Sequence, residues 1–196
     1  MKKDLISIIV PTLNASSTIK STLKSVLNQT FKNWEVIIID GYSTDRTISI
    51  IKKFNNKKFK IYSLHKKKGL AEARYTGIKK SKGNYIAFLD ADDLWNRNKL
   101  KYQLNFMKSK QIKFSATKFS ILSKTSKFIS DSNIERINYD YFLYNRPICN
   151  SSVLIEKKLI LNIARKHRYN IYAEDYLWWL EVMKKKVDCY LIKENL

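Results

Sequence analysis

Three polar clusters in this chain stand directly behind apolar runs, and their residue types suit a charged, hydroxyl-rich ligand. Asp90-Ala91-Asp92-Asp93 follows residues 85–89, Asp40-Gly41 follows residues 36–39, and Pro11-Thr12-Leu13-Asn14 follows residues 5–10. At a strand exit, the two-residue spacing of Asp90 and Asp92 sends both side chains to one side. Two convergent carboxylates repel each other and favour a hard divalent cation. A cation there would neutralise a diphosphate. Asp40, set behind four apolar residues, is expensive to place at a buried edge without a partner. A ribose hydroxyl or a uracil N–H would serve. Plainer readings stand beside these: Asp92 or Asp93 as the cap of a helix beginning near Trp95, and Asp40 as ordinary turn chemistry. A further acidic pair, Glu174-Asp175, stands at the start of an aromatic-rich helix over residues 175–185.

The elements that must position these residues are legible from periodicity. Residues 5–10 are a near-continuous apolar run, as expected of a strand buried on both faces, residues 34–39 read as a second buried strand, and residues 60–64 and 85–89 read as a third and a fourth. Between them, Ile19, Leu23, Val26 and Leu27 form a helical stripe with Ser16 or Ser17 as N-cap. Ile48, Ile51 and Phe54 mark a second helix capped by Ser43 or Thr44. Residues 70–81 form a third, whose Ala73 and Gly77 allow close packing, and Leu100, Leu104 and Met107 stripe a fourth. Strands alternating with helices imply βαβ units, a Rossmann-like α/β fold and a mostly parallel central sheet flanked by helices. Ligands of such sheets sit outside the carboxyl ends of the strands, where the three clusters fall. Beyond residue 112 the rhythm changes: residues 112–122, 128–129 and 152–155 read as looser strands. With no Pro/Gly-rich linker or repeat, residues 1–196 are expected to form a single domain with a smaller extension in the second half.

Composition bounds the function. A chain of 196 residues, 44% hydrophobic and 13% aromatic, buries one real core. Its net charge of +21 comes from 31 Lys and 7 Arg. Two readings stand: a compositional Lys bias, or attraction to anionic lipid or a diphosphate substrate. The Lys blocks at 57–58, 66–68 and 184–186 lie apart, and bidentate base readout usually falls to Arg, so specific nucleic-acid binding is not expected. Lys2 and Lys3 precede an apolar stretch too short for a secretory signal, and no run approaches a membrane span. The expected location is cytoplasmic, with peripheral contact at the inner face of the plasma membrane. Cys149 and Cys189 lack metal-ligand spacing and read as free thiols.

The ordered segments 8–14, 39–45 and 83–93, followed by Trp95, Lys99-Leu100 and Gln103, resemble glycosyltransferase family 2, an inverting family of GT-A fold. The resemblance returns at residues 148–155 and 174–179, so it covers nearly the whole chain. It implies transfer of a sugar from a nucleotide-sugar donor, a UDP-sugar by preference, to a hydroxyl of a glycan or lipid-linked acceptor, in bacterial surface-glycan synthesis. Residues 1–110 would be the nucleotide-sugar half and 111–196 the acceptor-side half. The resemblance places Pro11, Thr12, Asn14, Asp40, Arg74, Asp90 and Ala91 on the nucleotide. Asp92, with Asp90, would hold Mn²⁺ or Mg²⁺, and Asp175, with Glu174, would be the catalytic carboxylate. Ser151, Ser152 and Trp178 would line the acceptor side, against plain strand-edge polarity for the serines and core packing for the tryptophan. The chain departs from the family at Tyr42, where a small residue is usual, and at Tyr75, where Asn often follows the Arg. Relatives usually continue past Leu196 into further helices. Two rivals remain: a phosphatase using Asp-x-Asp, which expects that motif after the first strand, and a non-catalytic glycosyltransferase-like binding subunit.

Overall fold

The computed structural model describes residues 4–66, 68–122, 127–129, 135–169 and 172–196; Lys2, Lys3 and Lys67 of the basic blocks lie outside them. Four apolar runs become parallel strands, β1 (Ile6–Thr12), β2 (Trp34–Asp40), β3 (Phe59–Ser63) and β4 (Tyr85–Phe88). They are joined by helices α1 (Ile19–Leu27), α2 (Thr47–Lys52) and α3 (Leu70–Lys80). After α4 (Lys99–Ser109) come β5 (Phe114–Lys118), the β6 (Ser120–Leu122) and β7 (Lys127–Ile129) hairpin, and β8 (Arg136–Ile137). The chain then runs through α5 (Tyr139–Asn145), β9 (Leu154–Glu156), α6 (Lys157–Lys166), α7 (Glu174–Lys184) and β10 (Cys189–Asn195).

Among the described residues, eight strands form one sheet in the order β3-β2-β1-β4-β9-β5-β10-β8. The first four run parallel, β9 is antiparallel to β4 and β5, β10 returns parallel to β5, and β8 closes antiparallel. Because successive side chains alternate faces, β1 feeds two cores. Ile9 packs with α3, α6 and α7 residues including Ile78, Ile163 and Trp179; Ile8 and Val10 pack with Leu23, Ile51 and Leu100. The expected close approach of α3 is present: a Cβ on Gly77 would meet Ile9 Cγ2 at 2.5 Å.

Several local expectations change. Thr18 and Arg46, not the expected serines and threonines, precede α1 and α2, and neither caps through its side chain. At α2, Asp45 takes the Thr47 N–H instead (2.9 Å). No helix begins near Trp95; α4 starts at Lys99, so Asp92 and Asp93 cap nothing. Ser152 belongs to a single 3₁₀ turn, Asn150–Ser152, and its strand begins at Leu154. Helices α5 and α6 and strand β10 are additions to the sequence reading.

Candidate functional site

The carboxyl ends of β1 and β4 open onto a cleft of about 440 Å³. Its walls include Pro11, Asn14, Leu70, Asp90, Ala91 and Asp92. The loops after β1 and β2 brace each other there. The Asn14 N–H donates to Ser43 Oγ (3.0 Å) and its side-chain oxygen accepts from the Thr44 N–H (2.9 Å), while Asn14 adopts a left-handed backbone at φ 50°. Asp45 accepts from the Ser16 N–H (3.0 Å) and from Thr47. Its carboxyl is therefore held well below the usual carboxylate range, chiefly by the Thr47 hydroxyl. Asp45 has no assigned role in the sequence reading, although Asp followed two residues later by Thr is a recognisable turn signal. Tyr42, the residue that departs from the family, is exposed and sits at φ 81°, a conformation costly for a residue with a Cβ.

Two expected nucleotide contacts lie deeper. Asp40 is buried and its carboxylate accepts from the Ser43 N–H (3.1 Å), so the turn supplies the partner that a ribose or uracil was expected to supply. Thr12 is buried at the end of β1, and its hydroxyl finds no hydrogen-bond partner among the described residues.

Arg74 is the hub. Close packing of α3 on β1 carries it beneath the end of β4, where it is 3% exposed. Its Nη2 donates to both Asp90 carboxylate oxygens (2.6 and 2.9 Å) and its Nη1 to Glu174 Oε1. With the Asn150 carboxamide oriented to satisfy both its ends, its oxygen lies 3.2 Å from Arg74 Nε and Nη2. Burial alone would lower the Arg74 pKa, but Asp90 and then Glu174 more than reverse this, so the guanidinium stays charged. Burial pushes Glu174 upward against the pull of Arg74. Arg74, expected to approach the nucleotide or its phosphates, thus has Nη1 and Nη2 both engaged by protein carboxylates. Glu174 is likewise locked in place, whereas Asp175 remains half-buried, its carboxylate accepting the Tyr176 N–H (2.8 Å) and no other hydrogen bond from the described residues.

The acceptor-side residues also move inward. Ser151 Oγ accepts from the Asp90 N–H (3.0 Å), and Ser152 Oγ donates to the Cys149 carbonyl (2.6 Å). Both serines are buried, so they brace the site rather than line a cleft. Trp178 is fully buried against Phe88 and Trp179, which makes it core. Distance in sequence hides Asn150 and Ser151 as partners of Arg74 and Asp90.

The donors present suit a hard divalent cation shared with substrate. Asp92 is exposed on the cleft wall and makes no hydrogen bond or ion pair with the described residues. Asp90 stands beside it. No group of three or more His, Cys, Asp or Glu gathers in metal-ligating range among the described residues. One or two carboxylates completed by phosphate oxygens and water is the usual habit of Mg²⁺ at phosphate sites.

The family model for "Glycosyl transferase family 2" matches residues 7–179. The chain belongs to that family. It is 34% identical to the Escherichia coli UDP-Glc:alpha-D-GlcNAc-diphosphoundecaprenol beta-1,3-glucosyltransferase WfgD, over 92% of this chain and 70% of that protein. Staphylococcus aureus TarS 1-349, solved in complex with UDP-GlcNAc, superimposes with a TM-score of 0.81 at 22% identity, over 98% of this chain and 57% of that one. The mannosyltransferase PcManGT from Pyrobaculum calidifontis, in complex with GDP-Man and Mn²⁺, gives a TM-score of 0.71 at 16% identity, over 97% of this chain and 54% of that one. The fold is GT-A, and the chain is a glycosyltransferase spanning little more than half of those solved chains.

Proposed function

We propose that this family 2 member is an inverting enzyme that moves a sugar from a UDP-sugar to a hydroxyl of a glycan or lipid-linked acceptor in bacterial surface-glycan synthesis. The observation that carries the reading is the Arg74 bridge, which ties Asp90 of the donor cleft to Glu174 and so sets Asp175 at the same end of the sheet. The 34% identical WfgD is named for a UDP-glucose donor and a diphosphoundecaprenol-linked acceptor, which supports both substrate classes. The Pro11–Asn14 loop and Asp90-Ala91 hold the nucleotide, with Asp40 bracing that loop's neighbour. Asp175 takes the acceptor hydroxyl proton as the oxygen attacks the anomeric carbon. The bond from that carbon to the diphosphate breaks on the opposite face, so a single displacement inverts the configuration. Mn²⁺ or Mg²⁺ on Asp92 and Asp90 would neutralise the departing diphosphate.

Calorimetry with UDP and GDP, each with Mn²⁺ or EDTA, tests the donor reading. UDP with Mn²⁺ is expected to bind best, and Asp92→Ala should cut turnover by on the order of a hundredfold, because metal charge stabilisation is worth several kcal/mol. Preference for GDP, or full turnover in EDTA, removes the corresponding half of the proposal.

The same charge that suits a diphosphate suits a membrane surface. Lys57, Lys58 and Lys184–Lys186 are exposed, and no helix among the described residues is long and apolar enough to cross a membrane. We propose peripheral association with the anionic inner face of the plasma membrane, since each basic residue near such a surface contributes about 1 kcal/mol. Co-sedimentation with phosphatidylglycerol vesicles should fall steeply as salt rises; no binding at low salt refutes it.

A further inference from the structure

Beneath the cleft lies a buried lysine that glycosyl transfer itself does not use. Lys99, the first residue of α4, is 0% exposed, and no carboxylate pairs with it among the described residues. Its Nζ donates to Gln103 Oε1 (2.7 Å) and to the Ser152 carbonyl (3.3 Å), and lies 4.6 Å over the Trp95 ring. Gln103 Nε2 donates to the same Ser152 carbonyl (3.0 Å), and Trp95 Nε1 to the Ser151 carbonyl (2.8 Å). Trp95, just ahead of α4, and Lys99 and Gln103 in its first turns thus grip the carbonyls of the Asn150–Ser152 turn from below. From above, that turn presents Ser151 Oγ to the Asp90 N–H and Asn150 to Arg74.

We infer that Lys99 is a positioning residue for Asp90, acting through the Asn150–Ser152 turn, given that Asp90 belongs to the donor site as proposed above. A surface charge on α4 would have sufficed for solubility. An amino group buried among carbonyls and an indole is costly unless its contacts are made, so the turn has one well-defined seat. Burial lowers the Lys99 pKa to about 7, and the titratable group facing it, Cys149, is raised by its own burial to about 11 and stays a thiol. The remaining neighbours, Trp95, Gln103 and the Ser152 carbonyl, do not titrate. Opening the turn would return Lys99 to water, where it keeps its proton up to 10.5. Opening therefore takes up a proton, and the turn is held more tightly as pH rises above 7.

Hydrogen exchange at the Asp90 amide, corrected for intrinsic rates, reads the grip directly. In the unaltered chain its protection should climb between pH 7 and 8.5. Lys99→Met should abolish that climb, lower protection about tenfold at pH 8.5, and weaken UDP binding in Mn²⁺ by a similar factor. Met107→Ala, a cavity variant farther along α4, controls for lost stability and should leave the climb in place. Trp95→Phe, which removes the bond to Ser151, should lower protection in the same direction and serves if Lys99→Met does not fold. Protection unchanged in these variants, or a climb lost equally in Met107→Ala, overturns the inference. Faster Asp90 exchange with unchanged Mn²⁺–UDP affinity also overturns it. If the unaltered chain binds no UDP in Mn²⁺, the donor reading fails, while amide protection still decides the part played by Lys99.

Discussion

Asp175→Asn is expected to lower turnover by about a hundredfold or more while leaving melting temperature and UDP affinity near those of the unaltered chain. Asn keeps the oxygen that accepts the Tyr176 N–H but cannot take up the acceptor proton. The plain alternative is that Asp175 only complements the dipole in the first turn of α7, worth about 0.3–1 kcal/mol. Capping is already excluded as its main task, because Ala173 occupies the N-cap position in a left-handed conformation. If the plain reading holds, the variant loses a fraction of a kcal/mol and keeps its turnover. Glu174→Gln must be measured beside it, since adjacent carboxylates exchange roles. Its signature differs: Glu174 is 4% exposed and bonded to Arg74, so the glutamine variant should lose stability together with activity. An active Asp175→Asn with a stable, inactive Glu174→Gln would move the base by one residue.

That separation of Asp175 from Glu174 was not available from the sequence, where the two are neighbours of the same charge. Burial distinguishes them, and burial at a helix start depends on what packs above it. The first half of the fold was legible because parallel strands covered on both faces are apolar along most of their length, as residues 36–39 are. The second half was not. Strand β9 is only three residues long and β10 carries Lys193 and Glu194 at an exposed end, whereas α6 does carry an apolar stripe, Leu159, Ile160, Ile163 and Ala164, that the sequence reading passed over. Site residues followed the same division. Asp90 and Asp92 announce themselves by standing at a strand exit. Ser151, Asn150 and Lys99 meet the Asp90 N–H, the Arg74 guanidinium and the Ser152 carbonyl across 61, 76 and 53 residues, and no local spacing carries that information. Trp178, for which core packing stood beside a place on the acceptor side, is core, because the first turns of α7 fill the space under Phe88.

The largest stability effect is expected at Arg74. Arg74→Met removes the cation shared by Asp90 and Glu174 without opening a large cavity, because the unbranched thioether fills much of the arginine stem. What it leaves is a carboxylate at Glu174 buried with no counter-charge and an Asp90 free to turn toward the cleft. Breaking a buried pair from one side typically costs about 3–5 kcal/mol, which for a chain of this length lowers the melting temperature by on the order of 10 °C. Glu174 can limit the loss by holding its proton, the direction in which burial already pushes it. The Arg74→Met variant should therefore recover stability as pH falls through the raised Glu174 value, opposite to what a carboxylate held charged in an intact ion pair would do. Arg74→Met with Glu174→Met tests the same balance from the other side, since a pair replaced by apolar groups is often close to neutral. The double variant should melt well above Arg74→Met alone. The competing view, that Arg74 spends its charge on the diphosphate, requires a different pattern: loss of Mn²⁺–UDP affinity with the melting temperature unchanged and no coupling to Glu174. Because Nη1 and Nη2 are both engaged by protein carboxylates, thermal melts of the single and double variants should show strong coupling, and an additive pair would return Arg74 to the donor.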